Sequence, residues 1–313
     1  MVRCLLIALL ALNFNEADAK KLYKFQDERG VLHYSDAPPA NIQPLEIRQL
    51  KAVPKRRVWL EKAGSEKQPE FYIRNNYFGP IEVEISFAKR KNVIASPELP
   101  RRFNIAPGLS RHLFQIRGFN VHRGWSFTLQ YQYMVGSSQA RHDANAVYLP
   151  PIASGAHFQV SQAFNGEFSH HDAQNRYAVD IVMPIGTPVY AARSGIVMEV
   201  ENDYFKGGTD NKAYRSRANS IRILHADGSM AVYAHLQLEK AQVYPGSEVH
   251  AGQLIAYSGN TGYSSGPHLH FAVQLNRDMT LVSVPFMFSN ESGTRFIPKS
   301  GMWLSRGLAP ADS

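Results

Sequence analysis

The stretch from Ser258 to Phe271, SGNTGYSSGPHLHF, decides the fold of the C-terminal half, because it joins a Gly-rich turn to a strand carrying two histidines. Successive side chains of a strand point to opposite faces, so Leu269 and Phe271 share the buried face and His268 and His270 share the other. The apolar face fixes the register, and the register aims both imidazoles at one place. Such a pair suits a metal site, although His-x-His alone also fits two solvated histidines.

Further candidates for this chemistry lie upstream and comprise one carboxylate and three histidines: Asp180, His170, His171 and His235. Asp180 alternates with Val179 and Ile181, which predicts that its carboxylate leaves the buried face. His235, in the run VYAHL, is predicted to share a face with Tyr233. A zinc site without cysteine needs three nitrogen or oxygen ligands and one open position, and these segments supply enough ligands.

Residues 1–19, MVRCLLIALLALNFNEADA, are typical of a secretory signal peptide. A basic Arg3 precedes a short apolar run, and small residues at Ala17 and Ala19 mark a cleavage point. The run is too short to span a membrane, so no span is predicted after its removal. Cys4 is the only cysteine, so any metal in the mature protein must bind His, Asp or Glu.

Length and charge narrow the class of partner. A chain of 313 residues with 44% hydrophobic residues is predicted to hold two or three domains with sizeable cores. Its formal net charge of +8 suits an anionic surface or polymer, such as a cell envelope. The lysines and arginines are scattered rather than concentrated on one helix, and no nucleic-acid partner is predicted.

The strand and turn patterns predict a mainly β, multidomain protein. Short alternating runs separated by Gly, Pro and Asn recur along the chain, and Asp227-Gly228 between two such runs is a strong hairpin signal. The predicted order is a signal peptide, a small β-hairpin module, a polar linker, a β-sandwich-like domain, a C-terminal antiparallel β domain and a tail: 1–19, 20–50, 51–68, 69–152, 153–288 and 289–313.

Two features of the C-terminal domain have competing interpretations. The basic loop at 206–217, KGGTDNKAYRSR, is either a solvated insertion or the wall of a groove that meets an anionic polymer. The run from Gly262 to Gly266 satisfies G-x-S-x-G, but a nucleophile elbow leads into a helix, whereas Pro267 and a predicted strand follow here. These glycines are instead predicted to be turn residues.

Three segments resemble the lysostaphin/LytM-type zinc metallopeptidases, which cut peptide bonds of bacterial peptidoglycan: GTPVYAARSGIV, NSIRILHADGSMAVYAHL and GQLIAYSGNTGYSSGPHLHF. The resemblance implies a compact antiparallel β domain with its active site in a groove and peptidoglycan as the partner. It also implies that Asp180 and His270 bind zinc. His268 and His235 would then be the catalytic histidines that do not bind it, and which of them takes the proton stays open.

The first zinc ligand departs from the commonest pattern of that family, His-x-x-x-Asp. Arg176 stands at that position and cannot bind zinc. Other branches place the first histidine upstream across a longer loop, which the FSH at 168–170 resembles. The predicted ligand is therefore His170, with His171 as the alternative. We thus expect a secreted zinc endopeptidase of peptidoglycan; the alternative is an inactive envelope-binding module that activates another hydrolase.

The segment after the signal peptide resembles a short N-terminal domain of unknown function found in many exported Gram-negative proteins. Six residues carry the resemblance: Asp27, Gly30, Tyr34, Ser35, Asp36 and Pro38. This resemblance implies where the protein is located rather than which reaction it catalyses. The protein is therefore expected in the periplasm of a Gram-negative bacterium.

Overall fold

The computed structural model describes residues 21–27, 30, 32–35, 38–39, 42–49, 57–215 and 217–307. The predicted signal peptide lies outside the described residues. The chain forms two compact units, which are residues 1–55 and residues 56–313.

The N-terminal unit contains a three-stranded antiparallel sheet: β1 (Lys21–Gln26), β2 (Leu32–Ser35) and β3 (Glu46–Gln49). β1 and β2 form the predicted hairpin, with Tyr23 opposite Ser35. β3 adds a third strand on the other edge of β1, with Tyr23 opposite Ile47. The hairpin prediction is confirmed, and the module is one strand larger than expected.

The next eight strands build the predicted β-sandwich: β4 (Val58–Ser65), β5 (Gln68–Asn75), β6 (Ile81–Lys91), β7 (Val93–Ser96), β8 (Arg101–Ile105), β9 (Gly108–Leu109), β10 (Phe114–Gly118) and β11 (Ser126–Val135). One sheet has the order β4-β5-β10-β7 with β9 beside β5, and the other has the order β11-β6-β8. Buried side chains from both sheets, including Ile73, Ile85 and Phe114, form one core between them.

Residues 58–65, which the sequence analysis assigned to a linker, instead form the edge strand β4. β4 pairs with β5 along its whole length, from Val58 opposite Asn75 to Ser65 opposite Gln68. An edge strand is partly exposed and can carry polar residues at many positions. The alternation of apolar and polar residues that predicts a strand is therefore weak in β4. The sandwich therefore begins before the predicted boundary at residue 69.

The C-terminal part holds the remaining elements: β12 (Val147–Tyr148), β13 (His157–Gln162), β14 (Val179–Val182), β15 (Pro188–Tyr190), β16 (Gly195–Glu201), β17 (Gly207–Gly208), α1 (Asn211–Tyr214), β18 (Ser220–Leu224), β19 (Met230–Ala234), β20 (Glu248–Val249), β21 (Leu254–Tyr257), β22 (Gly262–Tyr263), β23 (His268–Arg277), β24 (Thr280–Ser283), β25 (Met287–Ser289), β26 (Arg295–Phe296) and β27 (Trp303–Ser305). The main sheet runs β20-β16-β18-β19-β23-β14-β13-β27, and β24 pairs with β23. Asp227-Gly228 makes the predicted turn between β18 and β19, with Gly228 at a φ of 81°.

The segment 289–313, expected to be a tail, contributes to the main sheet as far as it is described. β27 pairs with β13, with Leu304 opposite Phe158. The Leu304 side chain is fully buried in the same core as Val160. Deleting β27 would therefore expose apolar surface of the core.

The sandwich and the C-terminal sheet share apolar contacts at one end of the sandwich. Met198 of β16 and Met230 of β19 are buried in the sandwich core. Gly136, directly after β11, has a φ of 87°, a left-handed value that favours glycine, and a side-chain carbon there would lie 2.6 Å from the end of the flexible Met230 side chain. None of the described helices is long and apolar enough to cross a membrane.

Candidate active site

Three neighbouring strands of the main sheet bring the candidate site together. β14 and β23 are antiparallel, and their register sets Asp180 directly opposite His270. β19 lies on the other side of β23, so Ala234 is also opposite His270 and His235 follows at the end of that strand. The residues that alternate with Asp180 and His270, namely Val179, Ile181, Leu269 and Phe271, are fully buried in the core. Apolar packing behind the sheet therefore holds the polar groups in front of it.

His170 reaches the site from the loop between β13 and β14. Its side chain is fully buried, and its Nδ1–H donates to the carbonyl oxygen of Ala163 at 2.8 Å. Because a carbonyl only accepts, Nδ1 carries a proton, and in the neutral ring Nε2 is the atom with a free lone pair. Nε2 lies 3.2 Å from Asp180 Oδ2 as an ionic contact, and among the described residues this buried nitrogen has no hydrogen-bond partner.

His170, Asp180 and His270 form a donor set that fits a metal ion. One ligand atom from each lies within 4.8 Å of the other two, and the Nδ1 of His270 is 2.8 Å from Asp180 Oδ1. Two imidazole nitrogens and a carboxylate are the ligands of many zinc hydrolases. A hydrogen bond from the far ring nitrogen to a carbonyl, as in His170, is the usual outer support of such a ligand. These residues therefore fit zinc.

The electrostatics of Asp180 keep its carboxylate ionised. Burial pushes the pKa of Asp180 up, but the nearby imidazoles of His170 and His270 outweigh burial and hold the pKa well below its usual range. Burial alone would lower the pKa of His170, and Asp180 reverses this so that the pKa is raised. The group is thus an anion with two imidazoles beside it, which is what a divalent cation needs.

His235 and His268 stand beside this set with bare Nε2 atoms. The Nδ1–H of His235 donates to the carbonyl oxygen of Thr261 at 2.7 Å, and that of His268 donates to Gly266 O at 2.8 Å. The two ring centroids are 4.5 Å apart. Burial lowers the pKa of His235 to about 3, and burial also lowers the pKa of His268. Both imidazoles are therefore neutral near pH 7 and can accept a proton at Nε2.

His235 takes its position through an unusual backbone conformation. Its φ is 63°, a left-handed value that is uncommon outside glycine and clusters at functional sites. The prediction that His235 shares a face with Tyr233 is wrong. Tyr233 is fully buried in the core, where its hydroxyl accepts a hydrogen bond from the Ala192 N–H at 2.7 Å. The positive φ turns the chain at the strand end and sends His235 to the opposite side.

The structure brings together all five predicted site residues, namely His170, His235, His268, Asp180 and His270. The alternative first ligand, His171, is exposed and belongs to no described group of potential metal ligands. Arg176, at the position of the commonest ligand, is also exposed. The loop from residue 163 to residue 178 thus delivers the histidine that the shorter spacing would otherwise supply.

Gln162 is a site residue that sequence reasoning missed. It lies on β13 opposite Asp180, and its Nε2 donates to Asp180 Oδ2 at 3.0 Å. Its Oε1 accepts the backbone N–H groups of Phe168 and Ser169 at 3.0 and 3.2 Å, just before His170. One amide therefore fixes both the carboxylate and the loop that carries His170. No local pattern reveals this, because it depends on which strand pairs with β14.

The basic loop at 206–217 lies beside the site. Gly207 and Gly208 pair in parallel with Gly262 and Tyr263, directly after the residue whose carbonyl holds His235. Phe168, from the loop that carries His170, stacks with the same Tyr263 at a centroid distance of 6.4 Å. An ion pair of 3.1 Å joins Arg215 to Asp172. These contacts favour the groove-wall interpretation of the loop over a detached insertion.

Ser264 of the G-x-S-x-G run supports a histidine instead of acting as a nucleophile. It is buried, and its hydroxyl donates to Gly266 O at 2.8 Å and lies 3.2 Å from His268 Nδ1. β23 follows the run, so the strand-to-helix passage of a nucleophile elbow is not present in these described residues. Ser264 therefore helps to orient His268.

The comparison with known families agrees with this geometry. Residues 174–280 match Peptidase family M23, and residues 7–58 match a domain of unknown function, DUF4124. Asp180, His235, His268 and His270 lie inside the M23 match, whereas His170 precedes it. The first ligand therefore rests on the geometry described above.

The relatives match only part of this chain. Lysostaphin of Staphylococcus simulans is 40% identical over 100 residues, which are 32% of this chain and 18% of that protein. The peptidoglycan DD-endopeptidase ShyA of Vibrio cholerae is 40% identical over 92 residues, 29% of this chain and 18% of that protein. The solved catalytic domain of lysostaphin from S. simulans is 32% identical and covers 44% of this chain and 88% of that domain, with a TM-score of 0.25. The matched part of the chain thus spans less than a fifth of the length of these two curated relatives.

Proposed function

We propose that this protein is an exported zinc endopeptidase that hydrolyses peptide cross-links of bacterial peptidoglycan. The observation that carries the proposal is the His170 Nε2, a buried nitrogen without a hydrogen-bond partner among the described residues, grouped with Asp180 and His270. Leaving such an atom unpaired costs free energy unless a ligand binds it. The M23 match and the peptidoglycan endopeptidases among the relatives support the substrate class.

In this proposal His170, Asp180 and His270 hold the zinc ion. When bound, zinc would lower the pKa of a water molecule and polarise the scissile carbonyl. His235 and His268 both present an unprotonated Nε2 to the same space, because their Nδ1–H groups are engaged by carbonyl oxygens. One of them takes the proton of the attacking water and returns it to the leaving amine nitrogen. Gln162 keeps the Asp180 carboxylate oriented throughout.

The proposed location is the periplasm of a Gram-negative bacterium. It is supported by the signal-like residues 1–19 and by the DUF4124 match at residues 7–58. Fractionation of cells expressing the full chain, with detection of the processed protein, tests it. Retention of the unprocessed chain in the cytosol would contradict export without affecting the assignment of the zinc site.

The test of the function compares the two neighbouring histidines. Zinc content and digestion of purified cross-linked muropeptides are measured for the wild type and for the variants His170→Ala and His171→Ala. We expect about one zinc per chain and full digestion for the wild type and for His171→Ala, and loss of both for His170→Ala. His171 is the matched control because it is exposed and adjacent.

Two outcomes would contradict parts of the proposal. A wild-type protein that binds zinc but leaves cross-linked peptides intact would favour the inactive envelope-binding module. A His170→Ala protein that still digests sacculi at the wild-type rate would overturn His170 as a ligand.

A further inference from the structure

One end of the β-sandwich projects away from the peptidase domain. β6 ends there at Lys91, opposite the first residue of β11, and β10 ends there at Gly118, opposite Val93. We call the connecting residues 88–92 and 117–126 the distal tip. The opposite end of β11, at Val135, leads to the peptidase domain, and ten strand residues separate the two ends by roughly 33 Å.

The side-chain amide of Asn92 holds the backbone of the distal tip. Asn92 Nδ2 donates to the carbonyl oxygens of Asn120 and Arg123 at 2.9 and 3.0 Å, and Asn92 Oδ1 accepts the Asn120 N–H at 2.9 Å. Asn92 itself has a left-handed φ of 53°, a conformation that asparagine tolerates well. The amide therefore ties the β6–β7 and β10–β11 connections into one defined shape.

That shape presents two apolar side chains to solvent. Phe119 is 73% exposed and Val121 is 82% exposed, the latter the highest exposure among the large apolar residues that the structure describes. Behind them the half-buried Trp125 stacks on Phe127 with centroids 5.9 Å apart. Exposed apolar residues are common singly, whereas Phe119 and Val121 lie two positions apart on one fixed connection.

The distal tip also carries cationic side chains. The distal tip carries five exposed lysines and arginines: Lys89, Arg90, Lys91, Arg117 and Arg123. Within the described residues none of the five forms an ion pair. The segments 88–92 and 117–126 contain no acidic residue, and Glu66 in the nearby β4–β5 turn is paired with Lys62 at 3.0 Å. The positive charge of the tip is therefore not neutralised by the protein itself.

We propose that the distal tip docks onto an anionic lipid bilayer surface. Positive charge alone would suit any anionic polymer. Burial of Phe119 and Val121, in contrast, stabilises a complex only where apolar side chains can leave water, as at the boundary between lipid headgroups and acyl chains. Unpaired lysines and arginines near such a surface add electrostatic attraction. The peptidase domain lies at the other end of the sandwich, so a docked tip holds it away from the bilayer.

The test measures sedimentation of the full chain with vesicles of phosphatidylcholine, with and without phosphatidylglycerol. We expect the wild type to bind the anionic vesicles and to be released by salt. The variant F119S/V121S removes the apolar contribution, and K89Q/R90Q/K91Q removes three charges. We expect each variant to bind the anionic vesicles at least about tenfold more weakly than the wild type.

The matched controls lie on the same domain at the end near residue 135. Leu109 is 49% exposed on β9, and Arg111 is exposed two residues later. L109S and R111Q should bind vesicles like the wild type. Every variant carries the same residues 1–19, so differences between variants report the tip and not the signal segment. Circular dichroism and thermal unfolding confirm that each variant is folded.

Three outcomes decide the proposal. Selective weakening by both tip variants, with both controls unchanged, supports it. Equal binding of F119S/V121S and the wild type would overturn it, since the cations would then recognise an anionic polymer without insertion. Equal weakening of the tip and control variants would also overturn it. Zinc content and digestion of soluble muropeptides should not change in any tip variant, so failure here is distinguishable from failure of the proposed enzyme.

Discussion

Two histidine and carboxylate clusters occupy opposite ends of the β18–β19 hairpin. The site cluster surrounds Asp180 where Ser220 pairs with Ala234, next to His235. A second cluster surrounds Asp227 in the turn beyond Leu224 and Met230, and it comprises His142, Tyr148, Arg193, His225 and Asp227. Both contain buried imidazole nitrogens without a hydrogen-bond partner among the described residues. Their difference therefore lies in what surrounds the carboxylate.

Asp227 is already neutralised by the protein. Arg193 Nη1 lies 2.9 Å from its Oδ2, the Ser229 hydroxyl donates to its Oδ1 at 2.7 Å, and the backbone N–H of Asp143 donates at 3.0 Å. Burial pushes the pKa of Asp227 up, but the bonds from Ser229 and Arg193 outweigh it and lower the pKa. This cluster fastens the connection after the sandwich to the hairpin turn.

Among the residues that the structure describes, no arginine or lysine pairs with Asp180. Its described side-chain partners are the imidazoles of His170 and His270, the imidazole of His268 at 3.8 Å and the amide of Gln162. A guanidinium beside a carboxylate repels a metal ion, whereas neutral imidazoles add ligands to it. The same residue types thus form a structural cluster around Asp227 at one end of the hairpin and a candidate metal site around Asp180 at the other. The difference between the two is Arg193, which pairs with Asp227.

The largest expected effect follows from removing the charge at the site. In Asp180→Asn, zinc binding should be lost, and hydrolysis of cross-linked muropeptides should fall by at least about a thousandfold, since metal polarisation contributes several kcal/mol to the barrier. Metal analysis and a digestion assay check both. The control is Asp172→Asn, a nearby loop carboxylate paired with Arg215, which should keep zinc. Retention of zinc by Asp180→Asn would remove Asp180 from the ligand set.

The second cluster should respond to pH instead. Burial lowers the pKa of His225 from 6.5 to about 4. Between pH 6.5 and pH 4, His225 is therefore protonated in the unfolded chain but neutral in the folded chain. The free energy of unfolding therefore has its full value above pH 6.5 and falls as the pH drops from 6.5 to 4. Below pH 4 this loss levels off, at on the order of 3 kcal/mol. Urea unfolding of the wild type and of His225→Asn from pH 8 to 4 should give curves whose difference shrinks over that window. Parallel curves would contradict a buried, neutral His225.

Removing the carboxylate of the second cluster should weaken the fold without touching the metal. In Asp227→Asn, Arg193 keeps its charge but loses its anionic partner, so the free energy of unfolding at pH 7 should fall by about 2 kcal/mol. Urea unfolding measures the loss, and zinc content should stay at the wild-type level. If this variant lost zinc while Asp180→Asn kept it, the roles assigned to the two clusters would be reversed.

Much of the site cluster was predictable because strand alternation translates directly into geometry. The run from His268 to Phe271 and the flanks of Asp180 predicted which side chains leave the core, and the sheet register sets Asp180 opposite His270. His170 sits in a loop without periodicity, so only the family resemblance pointed to it. The face of His235 was missed because one positive φ at the strand end reverses the direction that alternation implies.

Other features escaped prediction because they depend on pairing between distant segments. The edge strand β4 reads as polar linker until β5 is placed beside it. The residues after 289 read as a tail until β27 pairs with β13. Neither pairing leaves a local signal, since the partners are chosen by the whole sheet.

Gln162 offers the smallest and most specific contrast between the clusters, because its neutral amide takes the place that Arg193 occupies beside Asp227. In Gln162→Ala, Asp180 and the loop before His170 lose their shared support, so zinc affinity should fall about tenfold, as expected for an outer-shell partner. Competition with a zinc chelator measures this. Gln159→Ala, an exposed glutamine on the same strand, is the matched control and should leave affinity unchanged. Gln162→Lys tests whether a cation beside the carboxylate prevents metal binding. This variant should stay folded but lose zinc. Full zinc binding would show that the neutrality of residue 162 does not matter.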